Sequence, residues 1–124
     1  MKKEEFALDF EKKTYVYRAN GTEVEIEGDA FCDITVALAE EILAAYPGKI
    51  NAIVEHLIAE SQVDIFFDVP KTEIANKLHS PSFRIIKNDW CVLTYTEHEL
   101  DEAHIISVEF RGVLEDLSYV TIDG

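Results

Sequence analysis

Asn20-Gly21 sits in the middle of an alternating segment, Thr14 to Gly28, and this pair constrains the fold more than any other local feature. A two-residue type I′ turn needs positive φ at both central positions, and Asn followed by Gly meets that need at little steric cost. The turn sets a register in which Ala19 faces Thr22, Arg18 faces Glu23, Tyr17 faces Val24 and Tyr15 faces Ile26. One face of the predicted hairpin gathers Tyr15, Tyr17, Val24 and Ile26; the other shows Arg18, Glu23, Glu25 and Glu27, with Val16 among them. A slip of one residue would exchange the two faces, so pattern and turn specify the same pairing.

Around this hairpin the other elements follow from periodicity. Phe6, Leu8 and Phe10 alternate and predict a first strand. Asp33 is a suitable N-cap for a helix to about Tyr46, with Ile34, Leu38, Ile42 and Ala45 inward. Pro47-Gly48 is expected to break it, and a second helix follows over about 49–62 on Ile50, Ile53, Val54, Leu57 and Ile58. Residues 63–69 stay open between helix extension, short strand and loop. A short third helix is expected over about 71–79 after Pro70, ended by Ser80-Pro81. Strands are then predicted at Phe83–Lys87, Trp90–Thr96, His104–Arg111 and Leu117–Ile122, with a turn at Asn88-Asp89. The order strands, helices, strands predicts a single α+β domain over 1–124. Its antiparallel sheet combines the N-terminal hairpin with the C-terminal strands, and a helical hairpin and the third helix pack on one face.

The apolar content of 48% supplies a core for a chain of 124 residues, so disorder is not expected despite the charge. That charge, −14, is unevenly distributed: residues 19–70 set Lys49 alone against eleven acids, and residues 97–124 set Arg111 alone against eight. Such a field repels nucleic acid and anionic membranes and attracts basic partners. No apolar run reaches the roughly 20 residues of a membrane span, and the N-terminus lacks a signal-peptide h-region. Cys32 and Cys91 show no CxxC spacing, so no disulfide and a reducing, cytoplasmic setting are expected.

Two acidic groups are candidate partner-binding residues. Glu23, Glu25 and Glu27, with Asp29 beyond, project from one strand face as a stripe a basic protein can recognise; a solvated face and an acid–base pair are the other readings of the same spacing. The segment Glu97, His98, Glu99, Asp101, Glu102 and His104 is the second group. It also offers the metal alternative, with His98 and His104 as nitrogen ligands beside hard carboxylates. The spacing departs from HExxH, because Glu102 occupies the place of the second histidine. His56 and His79 read as solvated helix residues, the latter near a helix C-terminus.

Other chemistries find no support in sequence. There is no GxSxG elbow, Walker loop or GxGxxG, and neither cysteine has a neighbouring histidine or basic cluster in sequence to activate it. Trp90 and the tyrosines lack the interleaved bases that tracking a phosphate backbone requires. Trp90 is assigned to the core or a sheet face.

The stretch His104 to Gly112, followed by Tyr119 to Gly124, resembles the closing strands of small bacterial α+β domains, some of them similar to immunity proteins that neutralise toxins. The resemblance implies a small bacterial binding protein, and no cofactor is expected. With the charge pattern, the expectation is a non-enzymatic protein that recognises a basic partner through acidic patches. The alternatives are the metal site at His98 and His104, and a subunit whose free strand edges pair two copies.

Overall fold

The hairpin forms in the register its turn dictates. In a computed structural model, which describes residues 1–61, 69–101 and 104–123, β2 (Thr14–Ala19) and β3 (Thr22–Glu27) pair with Arg18 opposite Glu23 and Tyr15 opposite Ile26. Asn20 and Gly21 take φ of 53° and 77°, as a type I′ turn requires. β1 (Ala7–Asp9) adds antiparallel to β2 but is shorter than Phe6–Phe10. The Asp9 carboxylate accepts the amides of Glu11 and Lys12, both at 3.1 Å, and this turn cuts the strand. Phe6 enters the core while Phe10 is left 83% exposed.

The expected helical hairpin is instead one helix, α1, running Asp33–Glu60 straight through Pro47. The reason lies in the phase of its apolar stripe. Val36, Ala39, Ile42, Tyr46, Ile50, Ile53, Val54 and Leu57 keep three- and four-residue steps across the supposed break, and Pro47 and Gly48 fall on the exposed side. Burial along this continuous stripe offsets a cost of about 3 kcal/mol for an interior proline and about 1 kcal/mol for glycine. The N-cap is Cys32, one residue before Asp33. Thr35 is drawn inward, its hydroxyl donating to the Ala30 carbonyl at 2.7 Å and accepting the Cys32 amide at 3.0 Å. This turns the first helical turn so that Thr35 and Val36 are buried and Ile34, expected inside, is 80% exposed.

After residues 62–68, which hold most of the ambiguous 63–69 segment and lie outside the described residues, α2 (Lys71–Lys77) covers the sheet with Ile74. It stops two residues early because Leu78–His79 forms a short strand, β4, paired with β7 (Glu97–His98). The main sheet is completed by β5 (Ser82–Lys87), β6 (Trp90–Tyr95), β8 (Ile105–Arg111) and β9 (Asp116–Asp123).

Seven strands lie in the order β1-β2-β3-β5-β6-β8-β9. The sheet is mixed, which corrects the antiparallel expectation: β3 and β5 run parallel, with Val24 beside Phe83 and Ile26 beside Ile85. A parallel pair needs a crossover connection, and the helices between β3 and β5 supply one that carries the chain back to the end of the sheet where β3 starts. The fold remains α+β. Val24, Ile26, Phe83, Ile85, Leu93, Tyr95, Ile106, Val108 and Phe110 form the sheet side of the core, and Ala39, Ile42, Ile53, Leu57 and Ile74 close it. No helix among the described residues is long and apolar enough to cross a membrane.

Candidate partner-binding surface

The strand glutamates come together, but each is matched by a base. Glu23 meets Arg18 across the hairpin at 3.5 Å, Glu27 bonds Arg84 of β5, and Lys12 Nζ donates to Glu25 Oε1 at 3.3 Å. Glu25 is only 7% exposed, on a face expected to be solvated, and shares it with buried Thr14 and Val16. The turn after β1 brings Lys12 over the carboxylate, and Thr14 Oγ1 donates to the same oxygen at 3.5 Å. This stripe is a charge-matched surface. Asp29, on the 3₁₀ turn Gly28–Ala30, is exposed and outside it.

The second acidic segment is organised by its own hydrogen bonds. His98 Nε2 donates to the His104 carbonyl at 2.6 Å, while its Nδ1 accepts the Leu100 amide at 3.2 Å. Both ring nitrogens are thereby used, so His98 has no lone pair to offer a metal. His104 Nδ1 contacts Asp101 Oδ2 at 2.6 Å, and Asp101 Oδ1 accepts the His104 amide. His79 reaches Glu99 at 2.7 Å, and this hydrogen bond and charge hold the Glu99 carboxyl below its ordinary value. Glu97 accepts a hydrogen bond from Ser80. Glu102 lies outside the described residues. Among the described residues, no group of three His, Cys, Asp or Glu side chains is placed to hold a metal ion.

A third acidic region, at the C-terminal edge of the sheet, was not singled out by residue in sequence. Glu109 of β8, Glu115 in the turn, and Asp116 and Asp123 of β9 form no ion pair among the described residues. Tyr119, 76% exposed, shares a surface depression with Glu109 and Asp116, and Asp123 lies four residues further along β9. The eight acids set against Arg111 alone in 97–124 are the signal the sequence offers. The register adds the rest: Ser107 opposite Thr121, Ile105 opposite Asp123 and Arg111 opposite Asp116 put both aspartates on the face away from the helices. Arg111, the base opposite Asp116, directs its guanidinium to Asp89 at 3.2 Å. His56, expected to be solvated, bonds the Ser118 carbonyl at 2.6 Å and ties this edge to α1.

A cleft of about 620 Å³ opens at the start of α1, lined by Cys32, Ile34, Ile86, Lys87 and Trp90 among others. Trp90 is half-buried on the outer sheet face. The two cysteines are free and differ sharply. Exposed Cys32 lies against the Thr35 amide and, at 3.7 Å, the Thr35 hydroxyl, and these contacts, the amide first, hold its thiol below the usual value; sequence proximity gave no sign of this. Burial pushes the Cys91 thiol up to about 12. No protein-family model, curated protein or solved structure matches this chain.

Proposed function

We propose that this chain is a non-catalytic binding or inhibitory protein, immunity-like in kind, that recognises a basic protein partner through the acidic edge around Tyr119. One observation carries the reading. An aromatic side chain 76% exposed shares a surface depression with Glu109 and Asp116, on an edge that also carries Glu115 and Asp123, and these four acids form no ion pair among the described residues. Exposed tyrosines supply much of the energy at binding surfaces, and unmatched charge of one sign steers the encounter. The strand glutamates at 23, 25 and 27 fit the role less well, since Arg18, Lys12 and Arg84 already meet them. The partner class is a toxin or another basic, nucleic-acid-binding protein.

Capture from the native lysate, followed by binding kinetics on the retained protein, tests this. The expected partner is basic, and its association rate falls about tenfold or more between low and high salt while dissociation changes little. Asp116→Lys with Asp123→Lys removes most of the salt dependence. A specific partner whose on-rate ignores salt rules the reading out.

A further inference from the structure

Resting on that reading, we infer that the free edge of β9 takes up an extended segment of the basic partner as an added strand. β9 spans eight residues and ends the sheet, with β8 on one side and, among the described residues, no strand on the other. The opposite edge, β1, has only three residues. A long edge offers a row of backbone donors and acceptors, and strand addition is a recurring way to use it.

Two local features narrow the docking run. The register shift between Val108 and Phe110 leaves Ser118 and Tyr119 together opposite Glu109, a bulge that breaks the regular edge there. The Ser118 carbonyl is taken by His56, and its hydroxyl donates to the Glu109 carbonyl at 3.1 Å. The usable run is therefore Val120–Asp123, with Tyr119 beside its start.

Charge then selects the occupant. On the outer face an added strand would set alternate side chains near Asp123, and Glu109 lies one strand further in. On the helix side the intervening side chains would face a depression of about 520 Å³ lined by His56, Glu60 and Val120 among others. An alternating sequence of lysine or arginine with aliphatic residues fits both sides. A second copy fits poorly: pairing through Val120–Asp123 would bring two chains of net charge −14 together along their acidic edges, and juxtaposed like charge disfavours a partner.

The test uses the full chain labelled with ¹⁵N, a ten-residue peptide of alternating lysine and valine, and its glutamate–valine counterpart. With the basic peptide at about ten times its Kd, amide exchange over Val120–Asp123 should slow about tenfold, since only the free fraction exchanges. The acidic peptide should leave exchange unchanged. Glu109→Lys with Asp123→Lys should abolish the protection; Glu109→Gln with Asp123→Asn should weaken it, which guards against a misfolded charge-reversed variant. Basic-peptide binding that shifts other surfaces without protecting β9 overturns strand addition and leaves the acidic-recognition reading intact. Absence of protection, or equal protection by both peptides, also overturns it, and the salt-dependent kinetics above then decide the broader reading separately. Protection of β9 in the free chain, with a dimer in sedimentation, would make the occupant a second copy and overturn the proposal.

Discussion

Gly28 donates its amide to the Lys13 carbonyl at 2.9 Å, and a β-carbon on Gly28 would lie 2.8 Å from that same oxygen. The contact joins the end of β3 to the turn that follows β1. That turn already holds Lys13 at φ 58° and lays Lys12 over buried Glu25. Backbone has approached backbone so closely that only glycine fits.

Gly28→Ala should therefore destabilise the chain by about 1–3 kcal/mol, the usual cost of forcing atoms into an occupied space. Urea unfolding measures it. An unchanged midpoint would mean that the turn moves aside freely, and that Glu25 is not held under Lys12 as described.

The opposite sign is expected in the middle of α1. Pro47 and Gly48 are exposed, and nothing lies within 4 Å of where a β-carbon on Gly48 would sit. Gly48→Ala should stabilise by about 1 kcal/mol and Pro47→Ala by up to about 3 kcal/mol, as helix propensity alone dictates. Were the segment a turn between two helices, both changes would be neutral or harmful. Thermal melts of the two variants separate these outcomes.

The same region shows where sequence reading reached its limit. Local rules located the Asn20-Gly21 hairpin to the residue and the C-terminal strands to within a residue or two, because turn chemistry and alternation act over short distances. Pro47-Gly48 is a strong local stop signal, but the stripe from Val36 to Leu57 is a longer-range pattern, and tertiary burial prevailed. The parallel β3–β5 pair depends on how the crossover returns, which neither strand encodes alone. The acidic surface was legible as charge but not as placement. Glu25 alternates like a solvated residue, yet Lys12 arrives over it from a turn thirteen residues earlier. The edge around Tyr119 emerges only when β9 is known to be last in the sheet.

Thiol chemistry should divide the two cysteines. Cys32 is exposed at the head of α1, its thiolate favoured by the Thr35 amide and then by the Thr35 side chain. Cys91 is fully buried in β6. A disulfide reagent at neutral pH should modify one thiol per folded chain and two after urea unfolding. Cys32→Ser should remove the fast phase, and Thr35→Val should slow it by raising the thiol's pKa. Two thiols reacting at equal rates in the folded chain would contradict the burial of Cys91.

Alkaline pH should expose the cost of the buried acids of the core. Tyr46 of α1 and Tyr95 of β6 share a hydrogen bond between their hydroxyls, and burial raises both above the ordinary value of 10.0. Burial likewise moves Cys91 from an ordinary 9.0 to about 12. In each case the unfolded chain releases its proton first, so it binds fewer protons than the native state and stability falls as pH rises. The decline begins above pH 9 with Cys91, at up to about 1.4 kcal/mol per pH unit, and steepens above pH 10 as the tyrosines join. Urea midpoints measured from pH 8 to 11 should trace that curve. Cys91→Ala should lower stability at pH 8 through lost packing, yet flatten the slope between pH 9 and 10; a slope identical to that of the parent chain would place the alkaline sensitivity elsewhere.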